Sequence, residues 1–217
     1  MKKLIWSLLI YLAEFPLRLA AYAKKKLELK KFRSVGKNFM FDITTSSFSS
    51  WSIDIGNNVF IGKYAYIGGE VTIGNNVMFG MGVNVLGANH IFGAKGKSVR
   101  FLVPAEGSNN KPVIIKDEVW VGANVTIVGG VEIGMGAVIG AGSVISKDIP
   151  PYTVAVGNPC HPIKLIFNDN DLFEHLALLG YKKEYAVKIL RKRNEMIFGK
   201  KLLKLTGFPT YWFIRLL

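Results

Sequence analysis

Large aliphatic or aromatic residues recur every six positions through the middle of the chain, at Ile55, Ile61, Ile67, Ile73, Phe79 and Val85. Four residues after each stands a second residue of the run: Val59, Ala65, Val71, Val77, Val83 and finally Asn89. After an interruption the pattern returns at Ile115, Val121, Ile127, Ile133, Ile139 and Ile145, with Val119, Val125, Val131, Ala137, Ser143 and Ile149 as companions. A helix would rotate such a stripe steadily around its surface, and a flat strand repeats every two residues. A coiled strand fits: each hexapeptide supplies one short strand and one turn, and three hexapeptides close a triangular coil. The aliphatic residues then stack from coil to coil as a continuous core. Gly and Asn at the turns Ile55-Gly56-Asn57-Asn58, Ile73-Gly74-Asn75-Asn76 and Val121-Gly122-Ala123-Asn124 suit the left-handed backbone that corners need.

The repeat divides the chain into residues 1–34, a repeat body 35–164 interrupted by a loop at 91–111, and an extension 165–217. Of the net charge of +13, nearly all lies in the two flanks, whereas the body is close to neutral. In the first flank, Leu4, Leu8, Leu12, Phe15 and Leu19 fall near one helical face, and Lys24-Lys25-Lys26 and Lys30-Lys31 follow. The apolar run Leu4–Ala13 is too short to span a bilayer, and no small-residue cleavage site follows it, so it reads as an uncleaved helix. That helix suits two tasks, capping the open end of the coil and meeting an anionic membrane surface. The second flank opens with a helix capped by Asp171, with Glu174 three residues on, and continues through Lys182-Lys183 and Arg191-Lys192-Arg193. No nucleic-acid-binding motif accompanies these charges, so a membrane-bound or polyanionic acceptor is expected rather than nucleic acid. The single cysteine, Cys160, excludes an intrachain disulfide and fits a reducing compartment.

Three segments make the chain resemble the hexapeptide-repeat acyltransferases, and among them the maltose and galactoside O-acetyltransferases. They are Val119-Trp120-Val121-Gly122-Ala123-Asn124-Val125, Ile139-Gly140-Ala141-Gly142-Ser143, and Ser146-Lys147-Asp148-Ile149-Pro150-Pro151 running on to Gly157-Asn158-Pro159. The resemblance implies a mainly β fold, a left-handed parallel β-helix with flanking helices. It also implies a homotrimer with active sites between subunits, and acetyl-CoA as co-substrate with no metal.

Between His90 and Lys111 the six-residue pattern gives way to a polar, basic segment, and His90 sits at its root, where a rigid coil meets a loop. Transfer of an acetyl group to a hydroxyl requires removal of a proton as the oxygen attacks, a task for an imidazole at neutral pH. The resemblance gives that role to His90. Asn84 and Asn89 either donate to the developing oxyanion or serve turns; Glu106 is the candidate to orient His90. For acetyl-CoA the resemblance implies contacts at Ala123, Ala141, Ser146, Lys147 and Lys164, with His161 and Lys164 standing where the family has arginines. Trp120 is either a flat wall for the donor or acceptor, or an anchor between subunits. Around the acceptor the small-sugar enzymes carry acids and amides, whereas this chain reads Ala65-Tyr66-Ile67-Gly68-Gly69-Glu70, with Glu70 its one acid.

The expected activity is therefore O-acetylation of a sugar, in a surface polysaccharide or its lipid-linked precursor, at the cytoplasmic face of a membrane. An N-acetyltransferase of a nucleotide-linked amino sugar and a non-catalytic β-helix scaffold are the alternatives. A zinc enzyme of this fold needs three converging histidines, and of the three in the chain only His90 adjoins the hexapeptide run, His161 and His175 lying in the terminal segment and the following helix.

Overall fold

The computed structural model describes residues 2–88, 91–102 and 111–205, with backbone alone at 2–5, 7–12 and 200–205. Its centre is a parallel β-solenoid. Among the described residues the strands form three sheets, one along each face of the coil. The first face stacks Ser34–Val35, Ile53–Ile55, Val71–Ile73, Val113–Ile115 and Glu132–Ile133. The second stacks Met40–Phe41, Phe60–Ile61, Met78–Phe79, Trp120–Val121, Val138–Ile139, Thr153–Val156 and His161–Leu165. The third stacks Ser47–Phe48, Tyr66–Gly69, Asn84–Gly87, Thr126–Val128 and Val144–Ile145.

Register follows the six-residue period. Ile55 pairs with Ile73, Ile73 with Ile115, and Ile115 with Ile133; Ile61, Phe79, Val121 and Ile139 form the second column, and Ile67, Val85, Ile127 and Ile145 the third. All of these are buried, as are their companions from Val59 to Val83 and from Val119 to Ile149. Three short strands per coil leave no edge along the sides, and the side chains fill the interior without a lumen. The pairing of Ile73 with Ile115 means that the excursion after Ala88 is absorbed within one coil, without disturbing the stack.

The corners divide their labour between two residue types. Asn38, Asn58, Asn76 and Glu118 repeat at one corner with φ of 59°, 56°, 57° and 64°. Their side chains hydrogen-bond in a ladder, Asn38 to Asn58 at 2.9 Å, Asn58 to Asn76 at 2.9 Å and Asn76 to Glu118 at 2.6 Å. Asparagine tolerates the left-handed conformation, and the ladder offsets its cost. The preceding glycines answer a different need. A Cβ on Gly56 would stand 2.4 Å from the Gly74 carbonyl oxygen, so glycine is required by the close approach of coils rather than by a left-handed backbone.

The two ends are closed differently. At the start, Phe32, Phe39, Phe41 and Phe48 interlock, Phe39 stacked on Phe41 at 4.6 Å and the others edge to face. Among its described side chains, helix α1 (Lys2–Leu29) adds Ala21 and Leu29, from its last turns, to this plug, while Phe15 and Leu19 stay exposed. At the far end the chain reverses: His161–Leu165 pairs antiparallel with Thr153–Val156. Helices α2 (Asp169–Leu178) and α3 (Lys183–Leu205, interrupted at Gly199) then pack over Met135 and Tyr152 through Leu172, Leu176, Ala186 and Ile189.

Two expectations about this flank are corrected. The cap of α2 is Asn168, whose Oδ1 accepts from the Asp171 N–H at 2.9 Å while its Nδ2 donates to the Asp171 carboxylate at 2.7 Å. Asp171 is thus the acid of the first turn, two residues inside the helix start, where it complements the exposed N–H groups. The Arg191-Lys192-Arg193 run is not a free basic surface either. Arg193 is fully buried, donating to the Phe167 carbonyl at 2.8 Å and to Asp169; Lys192 pairs with Glu132, and Arg191 with Glu195 at 2.9 Å. Arg193 and Lys192 thus bolt α3 to α2 and to the coil, while Arg191 stays exposed and pairs within α3.

Candidate functional site

A cleft of about 230 Å³ opens at the corner after the third face, lined by Ser49, Trp51, Ser52, Tyr66, Gly68, Gly69, Glu70, Leu86 and Ala88. Trp51 is 74% exposed, yet its turn is held from several sides. The Ser50 hydroxyl donates to Glu28 of α1. The Arg33 N–H donates to the Ser50 carbonyl at 3.2 Å, and the Ser52 hydroxyl donates to the Gly69 carbonyl at 2.7 Å. An indole carried on a fixed turn and left in solvent offers a large flat surface. Tyr66, on the neighbouring strand, supplies a second ring, and the bare backbone of Gly68 and Gly69 forms the floor.

Glu70 closes one side of the cleft, where it is paired with Arg33 at 2.7 Å. The same guanidinium donates twice to Asp54, at 2.5 and 2.9 Å, and the Ser34 hydroxyl donates to the other Asp54 oxygen at 2.5 Å. Arg33 accordingly holds the Asp54 carboxyl below its usual range, with Ser34 adding to the effect. This Arg33–Asp54–Glu70 cluster fixes the Glu70 carboxylate and partly neutralises it. Nothing in the sequence singled out Arg33 or Trp51. Arg33 reads as one more cation of a basic flank, and Trp51 lies in a serine-rich stretch before the strict period begins.

His90, Asn89 and Glu106 lie outside the described residues. Asn84, on Asn84–Gly87, stands beside Tyr66 in the ladder of the third face, and its Nδ2 donates to the Gly82 carbonyl at 3.1 Å, as a turn-serving amide does. The structure therefore places Glu70 in the cleft together with Ala88, two positions before His90 in the chain, whereas Asn84 pairs with Tyr66 at the start of its strand and does not line the cleft.

The residues expected at the donor divide between places. Ala123 and Ala141 occupy the same corner on successive coils, the Ala123 carbonyl accepting from the Gly142 N–H at 2.8 Å. Ser146 and Lys147 are exposed at the following corner, after Val144–Ile145, and His161 and Lys164 are exposed on the reversed strand. Lys147 and Lys164 have no ion-pair partner among the described residues. Trp120, 52% exposed, lies outward on the second face in register with Met78, which pairs in turn with Phe60 and that with Met40. All four stand roughly half exposed, an apolar row up one side of the coil.

A coil of stacked hexapeptides carrying an excursion at one corner defines the hexapeptide-repeat transferases. The family model "Bacterial transferase hexapeptide (six repeats)" matches residues 52–87 and 112–147. A Staphylococcus aureus (strain Mu50) protein assigned to the acetyltransferases is 36% identical over 149 residues, 67% of this chain and 71% of that one. The galactoside O-acetyltransferase of Escherichia coli K12 is 39% identical over 134 residues, 61% of this chain and 64% of the enzyme. Among solved structures, a hexapeptide-repeat acetyltransferase of Vibrio cholerae complexed with acetyl coenzyme A is similar with a TM-score of 0.58. It shares 27% identity, covering 68% of this chain and 78% of that one. The chain belongs to the hexapeptide-repeat transferase family and to its acetyltransferases.

Proposed function

We propose that this acetyltransferase moves the acetyl group of acetyl-CoA to a hydroxyl of a sugar carried by a surface polysaccharide or its lipid-linked precursor. His90 is the general base. It takes the hydroxyl proton as the oxygen attacks the thioester carbonyl, and returns it to the departing thiolate as the tetrahedral intermediate collapses. The supporting observation is the cleft: a solvent-facing indole on a held turn, a second ring and a fixed carboxylate form a site for a ring with an apolar face and a polyhydroxy rim. Trp51 and Tyr66 stack on the sugar and Glu70 accepts from its hydroxyls, with Asn84 and Asn89 at the rim and Glu106 orienting His90.

Acetyl-CoA lies along the corner of Ala123 and Ala141, where small side chains let its arm approach the coils. Ser146 hydrogen-bonds the donor, and Lys147, Lys164 and His161 meet its phosphates. The row Met40, Phe60, Met78 and Trp120 is the face given to neighbouring subunits of a homotrimer, which supports the reading of Trp120 as an intersubunit anchor. The enzyme works in the cytoplasm, where acetyl-CoA is available.

Trp51→Ala is expected to raise the acceptor KM about tenfold, the size of one lost aromatic contact, with the acetyl-CoA KM unchanged. An equal rise in both constants would move Trp51 out of the acceptor site. The reading as a whole is tested by mass spectrometry of surface polysaccharide from cells with and without the gene. Loss of alkali-labile acetyl esters is expected; loss of alkali-stable amide acetyl groups instead would make the enzyme an N-acetyltransferase, and no change would remove the polysaccharide.

A further inference from the structure

Helix α1 is inside out for a helix that merely packs on the coil. Ala21 and Leu29 reach the core, Lys25 donates to the Phe41 carbonyl at 3.3 Å with its ammonium 4.7 Å from the Phe41 ring, and Glu28 holds Ser50. These residues follow one another at helical spacing and mark the stripe that faces the coil. Traced backward by three and then four residues, the same stripe carries Arg18 and Glu14, paired with each other at 2.6 Å. Four polar residues, Glu14, Arg18, Lys25 and Glu28, therefore lie along the coil-facing side. Trp6, Phe15, Leu17, Leu19, Tyr22 and Leu27 are exposed to solvent, Leu17 at the edge of that stripe four residues before Ala21, with Leu17 71% and Phe15 52% exposed.

We infer that α1 docks on an anionic lipid bilayer, with these apolar side chains in the headgroup–acyl boundary and the coil standing above. Charge selects this occupant. Lys24, Lys26 and Lys30 are exposed next to the apolar side, while Lys25 and Lys31 are engaged with the coil and with Glu28. Such an apolar surface with adjoining exposed cations matches a layer of anionic headgroups over hydrocarbon. The Glu14–Arg18 pair presents no net charge. Among the described residues no helix is long and apolar enough to cross a membrane, so α1 lies in the boundary plane.

The docking has a consequence for the cleft. Glu28 of the docked helix holds Ser50, the neighbour of Trp51, so the helix that binds lipid also positions the acceptor platform. An acceptor carried on a lipid would reach the cleft at the membrane surface. This extension rests on the proposed acceptor site, whereas the docking itself does not.

The full-length protein is floated with vesicles of phosphatidylcholine alone, or with about a third phosphatidylglycerol. Binding is expected to the anionic vesicles and to weaken as salt rises. Lys24→Glu with Lys26→Glu should reduce it about fivefold or more per residue. Phe15→Ser with Leu19→Ser should reduce it about tenfold or more, leaving the melting temperature and acetyl transfer to a soluble sugar unchanged. No flotation with anionic vesicles at low salt overturns the proposal. Flotation indifferent to the Phe15/Leu19 change also overturns it, since the charge of the chain alone would then explain binding. A change in oligomeric mass instead, seen by light scattering, would assign the apolar side to a second copy of the chain. Loss of vesicle binding with acetyl transfer intact leaves the proposed reaction standing.

Discussion

Replacing His90 with alanine is expected to lower kcat/KM for acetyl transfer by about 10²–10⁴-fold, the usual contribution of a positioned base. A sugar hydroxyl is a poor nucleophile until its proton leaves. Among the residues lining the cleft, Glu70 is the one other group able to accept a proton, and Arg33 engages it at 2.7 Å. The loss should fall mainly in kcat, because the cleft and the Ala123–Ala141 corner that bind the two substrates are untouched. Steady-state assays with varied acetyl-CoA and varied acceptor separate these terms. Turnover within a factor of about two of the unaltered enzyme, well below that contribution, would end the assignment and bring the non-catalytic scaffold reading back.

The second large effect is on stability. Phe79→Ala should cost about 3–5 kcal/mol, read as a fall in melting temperature of roughly 10 °C for a chain of this size. Phe79 is the largest apolar side chain among the fully buried residues, stacked between Ile61 and Val121. Its neighbours cannot close over the gap. The Met78 and Gly80 N–H groups are bonded to the Val119 and Val121 carbonyls at 3.0 and 2.8 Å, and Gly80 already lies against Ala123. A cavity in a coil whose rungs are held at both sides stays open, and the cost stays near its upper range. A loss below about 1.5 kcal/mol would show that the coil relaxes, contrary to this reading.

The repeat core was legible because one interaction dominates it. A side chain that stacks on its copy in the next coil must recur at a fixed interval, so Ile55 to Ile145 announce both the fold and its register. Corners were half legible. Asn58, Asn76 and Asn124 adopt the left-handed backbone as asparagines do, but Glu118 and Tyr64 adopt it too, Glu118 at the end of the asparagine ladder and Tyr64 with its N–H donating to the Thr45 hydroxyl at 3.1 Å. The flanks were misread where charge had two destinations. A run such as Arg191-Lys192-Arg193 looks the same whether it faces water or a buried carbonyl, and only tertiary packing sends Arg193 inside. Of the site, Glu70 was visible as the one acid of the segment from Ala65 to Glu70. Trp51 was not, because an indole in a short turn carries no periodicity, and the groups that hold its neighbours Ser50 and Ser52, from Glu28, Arg33 and Gly69, come from three separate stretches.

The reversed strand His161–Leu165 does more than finish the second face. A parallel coil grows by adding rungs, and its last rung presents a row of backbone groups that any extended chain of suitable sequence, including another copy, can extend. A strand running the other way, followed at once by Ile166 and the capped helix α2, replaces that template with one whose polarity does not match a further coil. At the opposite end the phenylalanine plug and the last turns of α1 cover the first rung. The solenoid is in this sense a filament arrested at both tips, and its length is set by where the chain turns back rather than by how many hexapeptides would stack.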